Sequence, residues 1–159
     1  MKKSLTIFLQ IIIVLVGIGV FAFMLWEPTI EGRNANATLF EVYFKDAFLA
    51  FAYTASIAFF VALYQTFKVL SFVRQNKTFT QASVKALRII KYCGMILLAF
   101  ILGAEAYLFI VQPGDDIAGG VFMGLLVIVA SGTITSVARR LERRLQKDVA
   151  MESENNVTV

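Results

Sequence analysis

Leu5–Trp26 reads LTIFLQIIIVLVGIGVFAFMLW, twenty-two residues without a charge, with Lys2 and Lys3 before it and Glu27-Pro28 after it. A membrane helix needs about 20 mostly apolar residues to cross a hydrocarbon core of roughly 30 Å. The run is longer than the roughly 7–15 residues of a signal-peptide core, and no small-residue cleavage site follows it cleanly. It therefore reads as an uncleaved membrane span.

Three more runs of the same kind follow. Residues 47–70 are uncharged except for Lys68 near the end, where a lysine reaches the interface with its head group. Residues 89–111 carry Lys91 at one end and a single internal acid, Glu105. Residues 117–137 are uncharged and stop short of Arg139-Arg140. None of the four alternates in the manner of a barrel strand. The expected fold is an all-α membrane protein, an antiparallel bundle of four transmembrane helices in a single domain over residues 1–159. Composition agrees: 58% of residues are apolar, 16% are charged, and the mean hydropathy is +0.75. Globular chains hold about 45–50% apolar and about 25% charged residues.

Lysine and arginine set the orientation. Thirteen of the fifteen lie at the N-terminus, in the 71–88 loop with its flanking Lys68 and Lys91, or in the basic tail 138–159. The two remaining, Arg33 and Lys45, share the other side with Glu27, Glu31, Glu41, Asp46, Asp115 and Asp116. The positive-inside rule places both termini and the middle loop in the cytoplasm. In the outer 27–46 loop, Asn34-Ala35-Asn36 reads as a turn. Leu39, Phe40, Tyr43 and Phe44 are spaced for a short interfacial helix leading into the second span.

Spans associate in lipid through close packing of small residues. The second span offers Ala50, Thr54, Ala58 and Ala62 at i+4 spacing, the third Ala99 and Gly103, and the fourth the GxxxG pair Gly120 and Gly124 followed by Ser131 and Gly132. Small faces on three consecutive spans favour packing within the chain; a homo-oligomer face is the competing use.

The absence of histidine and the single cysteine remove zinc sites, Ser-His and Cys-His machinery and a disulfide framework. No cofactor and no classical enzyme activity are expected. Glu105 is the sharpest residue, because an acid inside a span costs a few kcal/mol and usually faces the bundle interior. It serves either as a proton or cation relay, which makes the chain a small cation or proton-coupled transporter, or as a structural acid hydrogen-bonded to Tyr53, Thr54 or Ser56 of the second span. Asp115 and Asp116 read as a solvated turn, Cys93 as a buried thiol, Gly17 and Gly19 as span residues, and Asn36-Ala37-Thr38 as a bare sequon.

The cytoplasmic side is richer. Thr78-Phe79-Thr80-Gln81 has capping-box spacing, so a helix starts there and runs without a break into the third span. The tail carries Val137, Leu141, Leu145 and Val149 at i+4 spacing among Arg139, Arg140, Arg143, Arg144 and Lys147, a basic amphipathic extension of the fourth span. Anionic lipid head groups of the bilayer and a cytosolic protein are its two candidate partners. Direct nucleic-acid binding is not expected, since the membrane already explains the charge.

Two stretches carry a family resemblance. Thr78-Phe79-Thr80 through Val84, Leu87, Arg88 and Ile89 resembles the "PF…N…RLR.I" lead into the third span of domain of unknown function 2975, a bacterial family of small four-span membrane proteins. The ending from Ala150 to Val159 resembles that family's "KSENDLTI"-type tail, with Asn156 where aspartate is usual and Thr78 where proline is usual. The resemblance implies four spans over nearly the whole chain in a bacterial inner membrane, and brings no activity and no catalytic residues. It also implies a context, a neighbouring gene for a helix-turn-helix regulator. A regulatory or interaction protein whose basic cytoplasmic face, residues 71–91 and 137–159, engages such a regulator is the leading expectation.

Overall fold

The computed structural model describes residues 3–30, 38–44, 47–111 and 117–157, and every regular element among them is helical. In chain order these are α1 (Lys3–Ile30), α2 (Leu39–Phe44), α3 (Ala47–Arg74), α4 (Gln81–Val111) and α5 (Ala118–Val157). The four long helices are each long and apolar enough to cross a membrane. The Asn34-Ala35-Asn36 turn, the sequon's Asn36 and the Asp115-Asp116 pair lie outside the described residues.

Local chemistry sets the ends. Thr38 and Glu41 cap α2 reciprocally: the Glu41 amide donates to Thr38 Oγ1 at 3.3 Å and the Thr38 amide to Glu41 Oε2 at 3.1 Å. α3 closes with a Schellman pair, Lys77 N to Phe72 O at 2.9 Å and Asn76 N to Val73 O at 3.2 Å. Asn76 takes the left-handed position at φ 56°, where asparagine is among the residues that tolerate it. α4 then starts at Gln81, as its capping signal requires, but the cap is Thr80 rather than Thr78. Thr80 Oγ1 accepts from the Ser83 amide at 3.3 Å.

Pro28 does not stop α1, which runs on to Ile30. A proline inside a helix removes the amide that would bond the carbonyl four residues earlier, here Met24. Tyr53 of α3 supplies the missing donor, its hydroxyl giving to Met24 O at 2.9 Å, and Tyr43 of α2 gives to Leu25 O at 2.6 Å. The proline is tolerated because neighbouring helices re-satisfy the carbonyls, as lipid demands.

Each helix packs chiefly on its chain neighbour: α1 on α3, α3 on α4, and most extensively α4 on α5. Gly94 of α4 faces Thr135 of α5, while Glu105 and Leu108 face Gly124 and Gly120. Residue numbers rise on one helix as they fall on the other, so the pair is antiparallel. Near one end Leu87, Ile90 and Ala138 form a buried cluster, covered by Val69 and Leu145.

The small-residue stripe of α3 differs from the i+4 reading. A helix turns 100° per residue, so strict i+4 spacing drifts about 40° per step. Ala50 and Thr54 are accordingly exposed, Ala58 is buried, and Ala52, Ala55 and Ala62 line the interior beside α4. On α4 the close approach uses Gly94, while Ala99 and Gly103 are exposed.

Candidate functional site

The two expected sites behave differently. Glu105 does not meet the second span. Its carboxylate is lodged on α5 at Gly124, where an added Cβ would overlap it, and it has no hydrogen-bond partner among the described residues. The residues expected beside it are occupied elsewhere on their own side. Tyr53 bonds Met24 O, Thr54 Oγ1 gives to Ala50 O at 2.9 Å, and Ser56 Oγ gives to Tyr53 O at 2.7 Å. In lipid a span hydroxyl readily satisfies itself on its own backbone one turn back, and Tyr53 is claimed by the carbonyl that Pro28 frees. Glu105 is brought together with the GxxxG glycines instead, which identifies their face as the α4–α5 contact within the chain.

The basic site, expected on the cytoplasmic side, is built on the continuity of α5. That helix is 40 residues long, about 60 Å at 1.5 Å per residue, so it runs roughly 30 Å beyond a single hydrocarbon core. The extension lies along α4. Glu142, in the midst of the arginines, is 6% exposed and turns inward. Lys91 Nζ reaches its Oε2 at 2.7 Å and Arg88 Nε its Oε1 at 2.8 Å. Burial pushes the Glu142 carboxyl up, but the hydrogen bonds from Lys91 and Arg88 and their charges outweigh it and hold it below the ordinary value of 4.5. Lys91 also sits 4.8 Å from the centre of the Tyr92 ring.

This pairing corrects the tail's apolar stripe. The face against α4 is Ala138, Glu142 and Leu145, with Val149 half-buried on the same stripe, and Leu145 covers the core cluster. Val137 and Leu141 are exposed at 49% and 41%, because strict i+4 spacing again drifts off the contact. Arg139, Arg140, Arg143, Arg144 and Lys147 are all exposed, and none has an ion-pair partner among the described residues. Arg143 and Lys147 border a groove with Gln146 and Ala150. The net arrangement is a two-helix stalk with buried Glu142 inside and five exposed cations outside.

A second buried polar contact escaped the sequence reading. Gln10 of α1, 5% exposed, gives a hydrogen bond to Ser71 Oγ of α3 at 2.7 Å. Its signal was available: Thr6 and Gln10 are polar residues one turn apart inside an otherwise apolar run, which places them on one face. Thr6 is 1% exposed beside it.

Comparison with known proteins agrees with this architecture and adds no activity. The model of the family "Protein of unknown function (DUF2975)" matches residues 29–159. The uncharacterized membrane protein YoaS of Bacillus subtilis (strain 168) is 36% identical over 160 residues, covering all of both chains. No solved structure matches this chain.

Proposed function

The chain belongs to the DUF2975 family of multi-pass membrane proteins, and from that premise we propose that it works as an inner-membrane interaction protein. Its α4–α5 stalk points into the cytoplasm and presents cations to a cytosolic regulator. The observation that carries the reading is Glu142, which pairs with Arg88 and Lys91 within the stalk while Arg139, Arg140, Arg143, Arg144 and Lys147 stay exposed, without an ion-pair partner among the described residues. Charges arranged in this way steer an acidic partner and fix its register. The partner favoured by the family context is a helix-turn-helix regulator, bound through an acidic surface that leaves its nucleic-acid face free. No catalytic step is assigned, since no nucleophile–base pair stands among these residues.

The test is recruitment of a co-expressed helix-turn-helix regulator to the membrane by the full chain and by a chain ending at Ala138. Recovery with the full chain and loss with the shorter one is the expected result. Loss is also expected with Arg139→Glu, Arg143→Glu and Lys147→Glu combined. Equal recovery from both chains rules the tail out.

The competing reading is transport through Glu105, favoured by a carboxylate that has no hydrogen-bond partner among the described residues. Glu105→Gln separates the two. The interaction reading predicts normal expression and stability with no loss of phenotype, and a clean loss in the folded variant moves transport to first place.

A further inference from the structure

Between the long helices lies a cavity of about 490 Å³ to which all four contribute, including Val20 of α1, Ala55 and Ala62 of α3, Leu97 of α4, and Ala130 and Ile134 of α5. α1 and α5 share no extended contact, which leaves the cavity a side facing the bilayer. On α3 its lining extends from Phe51 to Thr66, about 22 Å at 1.5 Å per residue, against about 15 Å for one leaflet's share of the hydrocarbon core. No charged residue lines it. Two of its hydroxyls are already satisfied on their own helix, Ser56 Oγ on Tyr53 O at 2.7 Å and Thr66 Oγ1 on Ala62 O at 2.8 Å. With Ser131 as the remaining hydroxyl and no charge on the lining, a hydrated cation would find no counter-charge and a polar ligand few partners there, whereas a hydrocarbon chain needs none.

The lining of α5 says where such a chain goes. Val127, Ala130 and Ile134 line the cavity, and Val137, Leu141 and Arg144 continue the same stripe at alternating spacings of three and four. Leu87, Ile90 and Ala138 plug the bundle on the α4 side. The exposed flank of Val137 and Leu141 is therefore the way out, and it ends at exposed Arg144 with exposed Arg140 one turn before it. We infer that the cavity holds one acyl chain of an anionic phospholipid from the cytoplasmic leaflet, with its phosphate on Arg140 and Arg144. Arg139 and Arg143 lie on the other flank of α5 and Lys147 on its crest near Arg140, and the cavity itself does not rest on the recruitment reading.

The experiment is native mass spectrometry of the full chain released from vesicles of equal phosphatidylglycerol and phosphatidylcholine. One retained phosphatidylglycerol per chain is expected. Filling the cavity with Ala55→Phe and Ala130→Phe should lower retention about tenfold, the scale of losing well-buried hydrocarbon contact. Arg140→Gln and Arg144→Gln should leave retention in place and lower the preference for phosphatidylglycerol about fivefold each. Equal retention by the filled and native chains overturns the site, as does a doubled protein mass without lipid, which would seat a second copy there. Should the filled chain not fold, Ala62→Cys in a Cys93→Ser background carries the test. It should resist a charged, water-soluble thiol reagent, and rapid reaction would mean water in the cavity and sink the proposal.

Discussion

Gly94 and Gly124 bring α5 onto α4 so closely that an added Cβ would overlap Thr135 or Glu105, and at Gly120 it would stand 3.2 Å from Leu108. In α1, by contrast, Gly17 meets only Leu63 at 3.5 Å and Gly19 meets nothing within 4 Å. The α1–α3 pair is spaced by large side chains, such as Phe21 against Phe60 with ring centres 6.1 Å apart. It is tied by polar contacts near its ends, Gln10 to Ser71 and Tyr53 to Met24 O. In lipid there is no hydrophobic drive between spans, so close backbone approach and a few hydrogen bonds do the holding. The α4–α5 pair has both, its hydrogen bonds being those that Arg88 and Lys91 give to buried Glu142. The α1–α3 pair has mainly the second, which makes α4–α5 the rigid half of the molecule and α1 the helix most easily moved.

That contrast can be broken most forcefully at the glycines. Gly94→Leu should destabilise the folded protein by about 3 kcal/mol, the upper range for overpacking, because Thr135 is short and Ser131 O is backbone. Gly19→Leu should cost almost nothing. Thermal unfolding in mild detergent compares them, and equal losses would erase the distinction between the two pairs. At Gly124 the obstacle is the flexible end of Glu105, so Gly124→Ala should cost less than Gly94→Ala.

The ion pair comes next. Glu142→Ala leaves Lys91 and Arg88 without their carboxylate and should cost about 2 kcal/mol. That is below the roughly 3–5 of a fully buried pair, since Arg88 is 48% exposed. The contribution depends on pH in a definite sense. The folded carboxyl is held below its unfolded value, so its stabilisation is complete at neutral pH and drains away as pH falls below 4.5 through the folded value. The gap in melting temperature between the native chain and Glu142→Gln should close over that acidic range and not above it.

The smallest effect belongs to α1. Tyr53→Phe removes the donor to Met24 O and should cost about 0.6 kcal/mol, the mean for interhelical hydrogen bonds in membranes. The Pro28→Ala variant restores the helix's own amide, so the tyrosine change should cost less still in that background. An unchanged cost would detach Tyr53 from the proline.

How far these contacts were legible varies with their physics. Uncharged runs of about 20 residues have one physical solution, so the four spans and the uninterrupted stalk could be read directly. The contact faces could not be read from strict i+4 spacing. That rule misplaced Ala50 and Thr54 on α3 and Val137 and Leu141 on α5, whereas alternating spacings of three and four find Ala138, Glu142, Leu145 and Val149. Glu142 was legible in principle as the acid between Arg140 and Arg143, but its partners lie 54 and 51 residues away on another helix. The Thr38–Glu41 cap has a four-residue signature and was there to be found. Glu105 stood out by chemistry alone. Its neighbour did not, because a glycine notch is a property of two helices in register rather than of either sequence.

Docking of a partner on the stalk requires that α4 and α5 form one rigid body clasped by Glu142. Spin labels at Lys85 and Gln146, both exposed on opposite helices, test it by double electron–electron resonance in the Cys93→Ser background in nanodiscs. The clasped stalk predicts a single narrow distance population in the native chain that broadens in Glu142→Gln. A broad distribution in the native chain, unchanged by that substitution, would contradict it.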